Sequence, residues 1–253
     1  MNDLEKYFRE NNKRLIHKWH HYFDVYDRHF SRFRDQEINI LEIGVSQGGS
    51  LQMWKDYFGP KARIYGIDID ERCKQFEEEN ITIYIGSQAD PKFLNSVKSL
   101  IPRLDILIDD GGHSMKQQIV SFESLFDHIK ENGVYLCEDC HTSYWDNYGG
   151  GYRRGNTFIE YSKNWIDLLN AFHSRSKKLQ VNDFTRTVRS LHYYDSIVVL
   201  EKGRKEPPVA TMTGKPAFSY EKQKRSLPGY LKFAGKAAFN KIAARLRIPF
   251  YID

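Results

Sequence analysis

Ile106-Leu107-Ile108-Asp109-Asp110-Gly111-Gly112-His113 is the stretch from which the rest of the chain can be read. Its unbroken apolar run predicts a strand buried on both faces, of the kind found inside a parallel sheet. Two carboxylates, two glycines and a histidine follow at once. An unpaired buried carboxylate is costly, so acids at the tip of such a strand are not core residues. The glycines let the backbone turn sharply and approach a ligand closely. Further on, Gly133-Val134-Tyr135-Leu136-Cys137 repeats the pattern and ends in Glu138-Asp139. If the two strands are parallel neighbours, their acids and His113 converge on one sheet edge. Oxygen-rich clusters of this kind suit Mg²⁺, Ca²⁺ or Mn²⁺. For Asp110 or Asp139 taken alone, helix capping is the plainer alternative.

Outward from that stretch the chain alternates. Ile38–Val45, Ala62–Ile69, Ile81–Gly86, Leu104–Asp109 and Val134–Cys137 read as strands. Leu51–Phe58, Glu71–Glu79, Pro91–Leu100 and Met115–Lys130 read as helices between and after them. Such alternation predicts an α/β fold with a parallel sheet, whose ligands bind beyond the carboxyl ends of the strands. Residues 141–156 form a polar, aromatic, glycine-rich loop, read as a substrate lid, with a plain flexible loop as the alternative. Phe158–Phe172 is expected to be a helix. Val188–Tyr194 and Ile197–Leu200, joined by Asp195-Ser196, read as an antiparallel hairpin. Residues 3 to 34 read as helical, with a break at Asn11-Asn12. Leu15, Trp19, Tyr22, Tyr26, Phe30 and Phe33 make an apolar stripe there, expected to pack on the core.

Leu41-Glu42-Ile43-Gly44-Val45-Ser46-Gln47-Gly48-Gly49-Ser50 follows the first strand directly. Its spacing, E-x-G-x-x-x-G, differs from the G-x-G-x-x-G of dinucleotide folds. A carboxylate before the first glycine would repel a pyrophosphate and welcome a cation, such as the amino group of a methionine moiety. Asp68, ending the second strand, is placed to accept hydrogen bonds from ribose hydroxyls. Gly86-Ser87-Gln88-Ala89-Asp90, ending the third, can meet an adenine edge. The candidate cofactor-binding set is therefore Glu42, Gly44, Ser46, Gly48, Ser50, Asp68, Ser87, Gln88, Asp90 and Asp109.

LEIGVSQGGSLQMW, GIDID, IDDGGH and EDCHTSYW together resemble class I S-adenosylmethionine-dependent methyltransferases, over residues 38–202. Within that class the chain is similar to the metal-dependent sugar O-methyltransferases, the mycinamicin, macrocin and rhamnosyl O-methyltransferase group of antibiotic pathways. The resemblance implies a Rossmann-like, seven-stranded, mostly parallel sheet with a terminal antiparallel hairpin. It implies S-adenosyl-L-methionine as methyl donor and Mg²⁺ (or Mn²⁺) held by Asp110, Glu138 and Asp139. It makes His113 the general base and a sugar hydroxyl of a glycan or glycosylated metabolite the acceptor. The chemistry is coherent: a sugar hydroxyl attacks a sulfonium methyl poorly until deprotonated, and histidine ordinarily titrates near neutrality.

Composition limits the rivals. The 253 residues are 40% hydrophobic and rich in aromatics, enough for a sizeable core. From Lys202 to Asp253 there are twelve Lys/Arg against three Asp/Glu, a net +9; the first 201 residues carry 26 against 30, a net −4. A mildly acidic body argues against a nucleic-acid partner, and the basic tail alone suggests an RNA methyltransferase. The expected organisation is a helical arm at 1–35, a methyltransferase domain at 36–202 and a basic extension at 203–253. Apolar residues at helical spacing within Tyr230–Ile248 suit docking, in the chain or in a homo-oligomer, or peripheral contact with an anionic membrane. Three cysteines and no apolar leader point to the cytoplasm. Cys137-Glu138-Asp139-Cys140-His141 has the form of a haem-attachment motif, but Cys137 belongs to a buried strand and no export signal is present. A catechol-like O-methyltransferase and a non-catalytic methyltransferase-fold module remain the alternatives.

Overall fold

The computed structural model describes residues 1–218, 227–246 and 248, without the side chains of 227–230. It forms two compact units, Met1–Pro208 and Val209–Asp253. The first holds a seven-stranded sheet built from β1 (Asn39–Ile43), β2 (Arg63–Asp68), β3 (Ile81–Ile85), β4 (Leu104–Asp109), β5 (Ile129–Cys137), β6 (Val188–Tyr193) and β7 (Val198–Lys202). The order is β3-β2-β1-β4-β5-β7-β6. Strands β1 to β5 run parallel, β7 pairs antiparallel with β5, and β6 with β7. The order reverses between β1 and β4, which is where an open α/β sheet leaves a crevice for a ligand.

Both sheet faces are covered, which explains the unbroken apolar strands. One face carries Ile40, Ile64, Ile106 and Ile108 against α1 (Asp3–Glu10), α2 (Tyr22–Phe30) and α3 (Gly49–Phe58). The other carries Leu41, Leu107 and Tyr135 against α4 (Pro91–Leu100), α5 (Met115–Leu125) and α6 (Phe158–Leu169). There the rings of Phe122 and Trp165 meet at a tilt of 35° with centroids 4.2 Å apart.

Several boundaries differ from the sequence expectation. Residues 3–34 are not one helical arm: 11–21 contain no helix. The Asn11 side chain explains the stop, accepting from the Lys13 amide (3.0 Å) and donating to the Arg14 carbonyl (2.8 Å). An asparagine that satisfies nearby backbone groups competes with the helix. Tyr22, Tyr26, Phe30 and Phe33 of the expected stripe are buried, but Leu15 and Trp19 are exposed. The helix expected at Glu71–Glu79 is a 3₁₀ turn, Glu71–Phe76. The one expected at Met115–Lys130 ends at Leu125, because β5 begins at Ile129 and pairs there with Leu104. A short helix, α7 (Asp183–Thr187), escaped the pattern reading. In the second unit α8 spans Leu227–Arg245. Parts of the tail reading at 219–226, 247 and 249–253 lie outside the described residues. Among those described, no helix is long and apolar enough to cross a membrane.

Candidate active site

Register places the strand tips side by side. Ile43 pairs with Ile67 and Asp109, and Asp109 pairs with Cys137. Beyond the paired residues the ladder continues: the Asp110 amide donates to the Ile43 carbonyl and the Glu138 amide to the Asp109 carbonyl, both at 2.9 Å. The glycine turn after β1 and the acids after β4 and β5 therefore share one edge.

The glycine turn is tight against its neighbours. Gly44 has φ 97°, and a β-carbon there would lie 2.0 Å from the Asp110 carbonyl oxygen. Asp68 braces the turn, its carboxylate accepting from the amides of Val45 (2.9 Å), Ser46 (2.8 Å) and Asp70 (2.9 Å). A cleft of about 260 Å³ opens here, lined by Gly44, Ser46, Asp68, Ser87, Gln88 and Asp110 among others. Five of the ten candidate cofactor residues thus face one cavity. The other five do not line it, although Ser50 lines the cavity beside it. Gly48 caps α3 in a left-handed conformation, at φ 71°. Glu42 is fully buried and accepts from Ser50 Oγ (2.7 Å) and Trp54 Nε1 (3.1 Å). Asp90 caps α4, accepting from the Lys92 amide (2.9 Å). Asp109 lies beneath the cleft, accepting from Gln88 Nε2 (3.0 Å). Burial pushes its carboxyl up to about 7, against the hydrogen bond from Gln88. The Gln88 Oε1 in turn accepts from the Gly112 amide (2.7 Å), tying the third strand's loop to the turn before His113.

A second cavity of about 240 Å³ adjoins the first and shares Gly44, Ser46, Asp110 and Gly111 with it. Its walls add Leu15, Ile16, His17, Lys18, His113 and Asp139. Ligand atoms of Asp110, His113 and Asp139 lie within 4.8 Å of one another. His113 Nε2 stands 3.4 Å from Asp139 Oδ2 and 3.9 Å from Asp110 Oδ1. Tyr22 donates its hydroxyl hydrogen bond to Asp139 Oδ1 at 2.7 Å. Thr142 Oγ1 donates to the His113 carbonyl (2.8 Å), fixing the loop that carries exposed Tyr144, Trp145 and Tyr152.

Sequence reasoning missed Lys18. Its ammonium is buried, pairs with Asp110 Oδ2, and contacts both oxygens of Glu138 at 3.0 and 2.8 Å. Glu42 Oε1 lies 3.9 Å away. Burial alone would depress the lysine pKa, but Asp110, Glu138 and Glu42 together raise it. Burial pushes Glu42 up to about 7 despite Lys18, and raises Glu138 well above the usual carboxylate range. Asp110 and Asp139, with Glu138 next to Asp139 in sequence, form an oxygen-rich set that fits a hard divalent cation, and His113 stands beside it. A second cluster, His29, His192 and Glu201, is a closed polar network: His29 uses both ring nitrogens, on Glu201 (2.8 Å) and Tyr194 (2.9 Å).

The comparisons agree with this architecture. A family model described as a methyltransferase domain matches residues 41–140. Demethylmacrocin O-methyltransferase of Streptomyces fradiae is 35% identical over 203 residues, covering 75% of this chain and 51% of its own length. Mycinamicin VI 2''-O-methyltransferase of Micromonospora griseorubida is 34% identical over 198 residues, covering 74% and 49%. The chain spans about half the length of the curated relatives it matches. Among solved structures, a methyltransferase of the mycinamycin biosynthetic pathway, in complex with Mg and SAH, superposes with a TM-score of 0.74 at 33% identity. That superposition covers 80% of this chain and 55% of the other. Residues 41–140 are accordingly a methyltransferase domain, set in a sheet with the class I, S-adenosylmethionine-dependent methyltransferase fold.

Proposed function

We propose that this chain is an S-adenosylmethionine- and Mg²⁺-dependent O-methyltransferase acting on a sugar hydroxyl of a glycan or glycosylated metabolite. The observation that carries the reading is the shared wall of the two cavities. Gly44, Ser46, Asp110 and Gly111 line both, so a methyl donor in one would present its sulfonium to the other. Asp68, Ser87 and Gln88 supply polar groups for the ribose and adenine in the first cavity. In the second, His113 takes the proton from the acceptor hydroxyl. Asp110 and Asp139 flank its ring. Asp139 also orients the ring, itself held by Tyr22. A divalent cation bound by Asp110, Asp139 and Glu138 would acidify the acceptor hydroxyl and hold it for attack. One relative, 35% identical, is named for methylating a rhamnosyl tetracenomycin, which supports a sugar over a catechol. Three free, buried cysteines suit a reducing compartment, and the cytoplasm is the location we propose.

Calorimetry with S-adenosylhomocysteine, followed by methyl-transfer assays on glycosylated acceptors and catechols, tests the reading. Binding to wild type, weaker binding to Asp68→Ala, and transfer to sugars that stops with a chelator and returns with Mg²⁺ are expected. Undiminished transfer in excess chelator would remove the metal. Transfer to catechols alone would remove the sugar.

A further inference from the structure

The acid cluster is divided between two claimants. On one side Lys18 spends its ammonium on Asp110 Oδ2 and on both oxygens of Glu138, with Glu42 next nearest. Among the described residues no other lysine or arginine pairs with these acids. On the other side Asp110, His113 and Asp139 bring ligand atoms within 4.8 Å of one another. Asp110 belongs to both sides. A small dication prefers six oxygen ligands, and Glu138, bridged to Asp110 through Lys18 and next to Asp139 in sequence, is the carboxylate placed to add to Asp110 and Asp139. Glu138 is the one Lys18 holds. An ammonium and a dication a few ångströms apart in a buried setting repel each other strongly. The two cations are therefore rivals for Glu138.

Lys18 is also placed where it can leave. It rides on residues 11–21, which contain no helix or strand, between α1 and α2, which pack on the body. A segment without helix or strand hydrogen bonds opens at lower cost than the regular elements around it. This segment lies directly on the glycine turn: a β-carbon on Gly49 would stand 2.3 Å from the Leu15 carbonyl and 2.7 Å from that of Arg14. Leu15, Ile16, His17 and Lys18 wall the cavity beside Gly44.

We propose that Lys18 is a tethered stand-in for the divalent ion, holding Glu138 and Asp110 until the metal binds and then displaced from Glu138 together with the segment around it. The inference rests on the metal-dependent reading above. Lys18 thereby keeps the buried acids paired in the empty enzyme, and metal binding loosens the wall of the acceptor cavity.

The test is calorimetric titration of Mn²⁺, and separately Mg²⁺, into wild type, Lys18→Met and Lys18→Arg. Lys18→Met should bind Mn²⁺ at least tenfold tighter than wild type, and Lys18→Arg, which keeps the rival charge, should not. Hydrogen exchange on wild type needs no variant: amides between 13 and 20 should lose protection when Mn²⁺ saturates the protein. Equal or weaker Mn²⁺ binding by a folded Lys18→Met would overturn the proposal, as would unchanged or increased protection of those amides in metal-saturated wild type. If Lys18→Met does not fold, the exchange result decides alone. No Mn²⁺ or Mg²⁺ binding to any of the three proteins, with S-adenosylhomocysteine still bound, would instead reject the metal-dependent reading itself.

Discussion

His113 adopts a left-handed backbone at φ 55°, and Ser46 and Asp139 near it do the same at 50° and 51°. Each such residue costs on the order of 1–3 kcal/mol, and such outliers gather where side chains must be aimed. His113→Ala is expected to lower the turnover rate by about 10²- to 10⁴-fold while leaving S-adenosylhomocysteine affinity within error. Equal turnover would place the base on another residue. Asp109 allows a pH prediction. Its folded pKa of about 7 lies above the ordinary value for an unfolded aspartate. The folded state thus holds the proton longer, and stability falls as pH rises from about 4 to 7. Asp109→Asn mimics the protonated form. It should melt higher than wild type at pH 8, with the gap closing as pH is lowered toward 4. A gap independent of pH would mean that Asp109 titrates normally. The acids at the strand tips were legible because a carboxylate after an apolar run has no place in a core. Lys18 was not: in Asn11–His21 it looks like one solvated cation among several, and its partner Glu138 lies 120 residues away. Periodicity carries no information over such a separation.

Among the elements, the segment between α1 and α2 departs furthest from expectation. Leu15, Trp19 and Tyr22 sit at helical intervals, yet the backbone crosses the start of α3 without helix. The reason lies at the other end of the contact, where Gly49 leaves room for that crossing. Gly49→Ala should therefore destabilise the protein by about 1–3 kcal/mol, as overpacking generally does, and should raise hydrogen exchange in residues 13–18. Unaltered stability and exchange would show that the segment is not held against α3. The strands from β1 to β5 were readable because burial on both faces leaves unbroken apolar runs. The 3₁₀ turn after β2 was less so, since a charged stretch such as Glu71–Glu79 suits a turn and a surface helix equally. Half of the cofactor set faces the cleft. Residue type and strand-end position located Asp68, Ser87 and Gln88, but could not tell a lining residue from a cap such as Asp90.

Across the whole molecule, every candidate site residue falls within Met1–Pro208. A chain ending at Pro208 is expected to fold, to melt within a few degrees of the full chain, and to bind S-adenosylhomocysteine equally. Loss of binding would give the removed segment, with nine Lys/Arg against two Asp/Glu, a part in the site. The order of the strands also has a meaning in time. β7, made after β6, is the one that lies against β5, through Val134–Cys137. While the chain is being synthesised, the flank of β5 stays bare until Lys202 has been added. An apolar strand with an open flank recruits other strands, and incomplete chains are the ones most exposed to that hazard. A nascent polypeptide stalled before Val198 would thus carry every acid of the site and still be a seed for aggregation, so slow codons between Tyr193 and Val198 should lower soluble yield more than the same codons placed after Pro208.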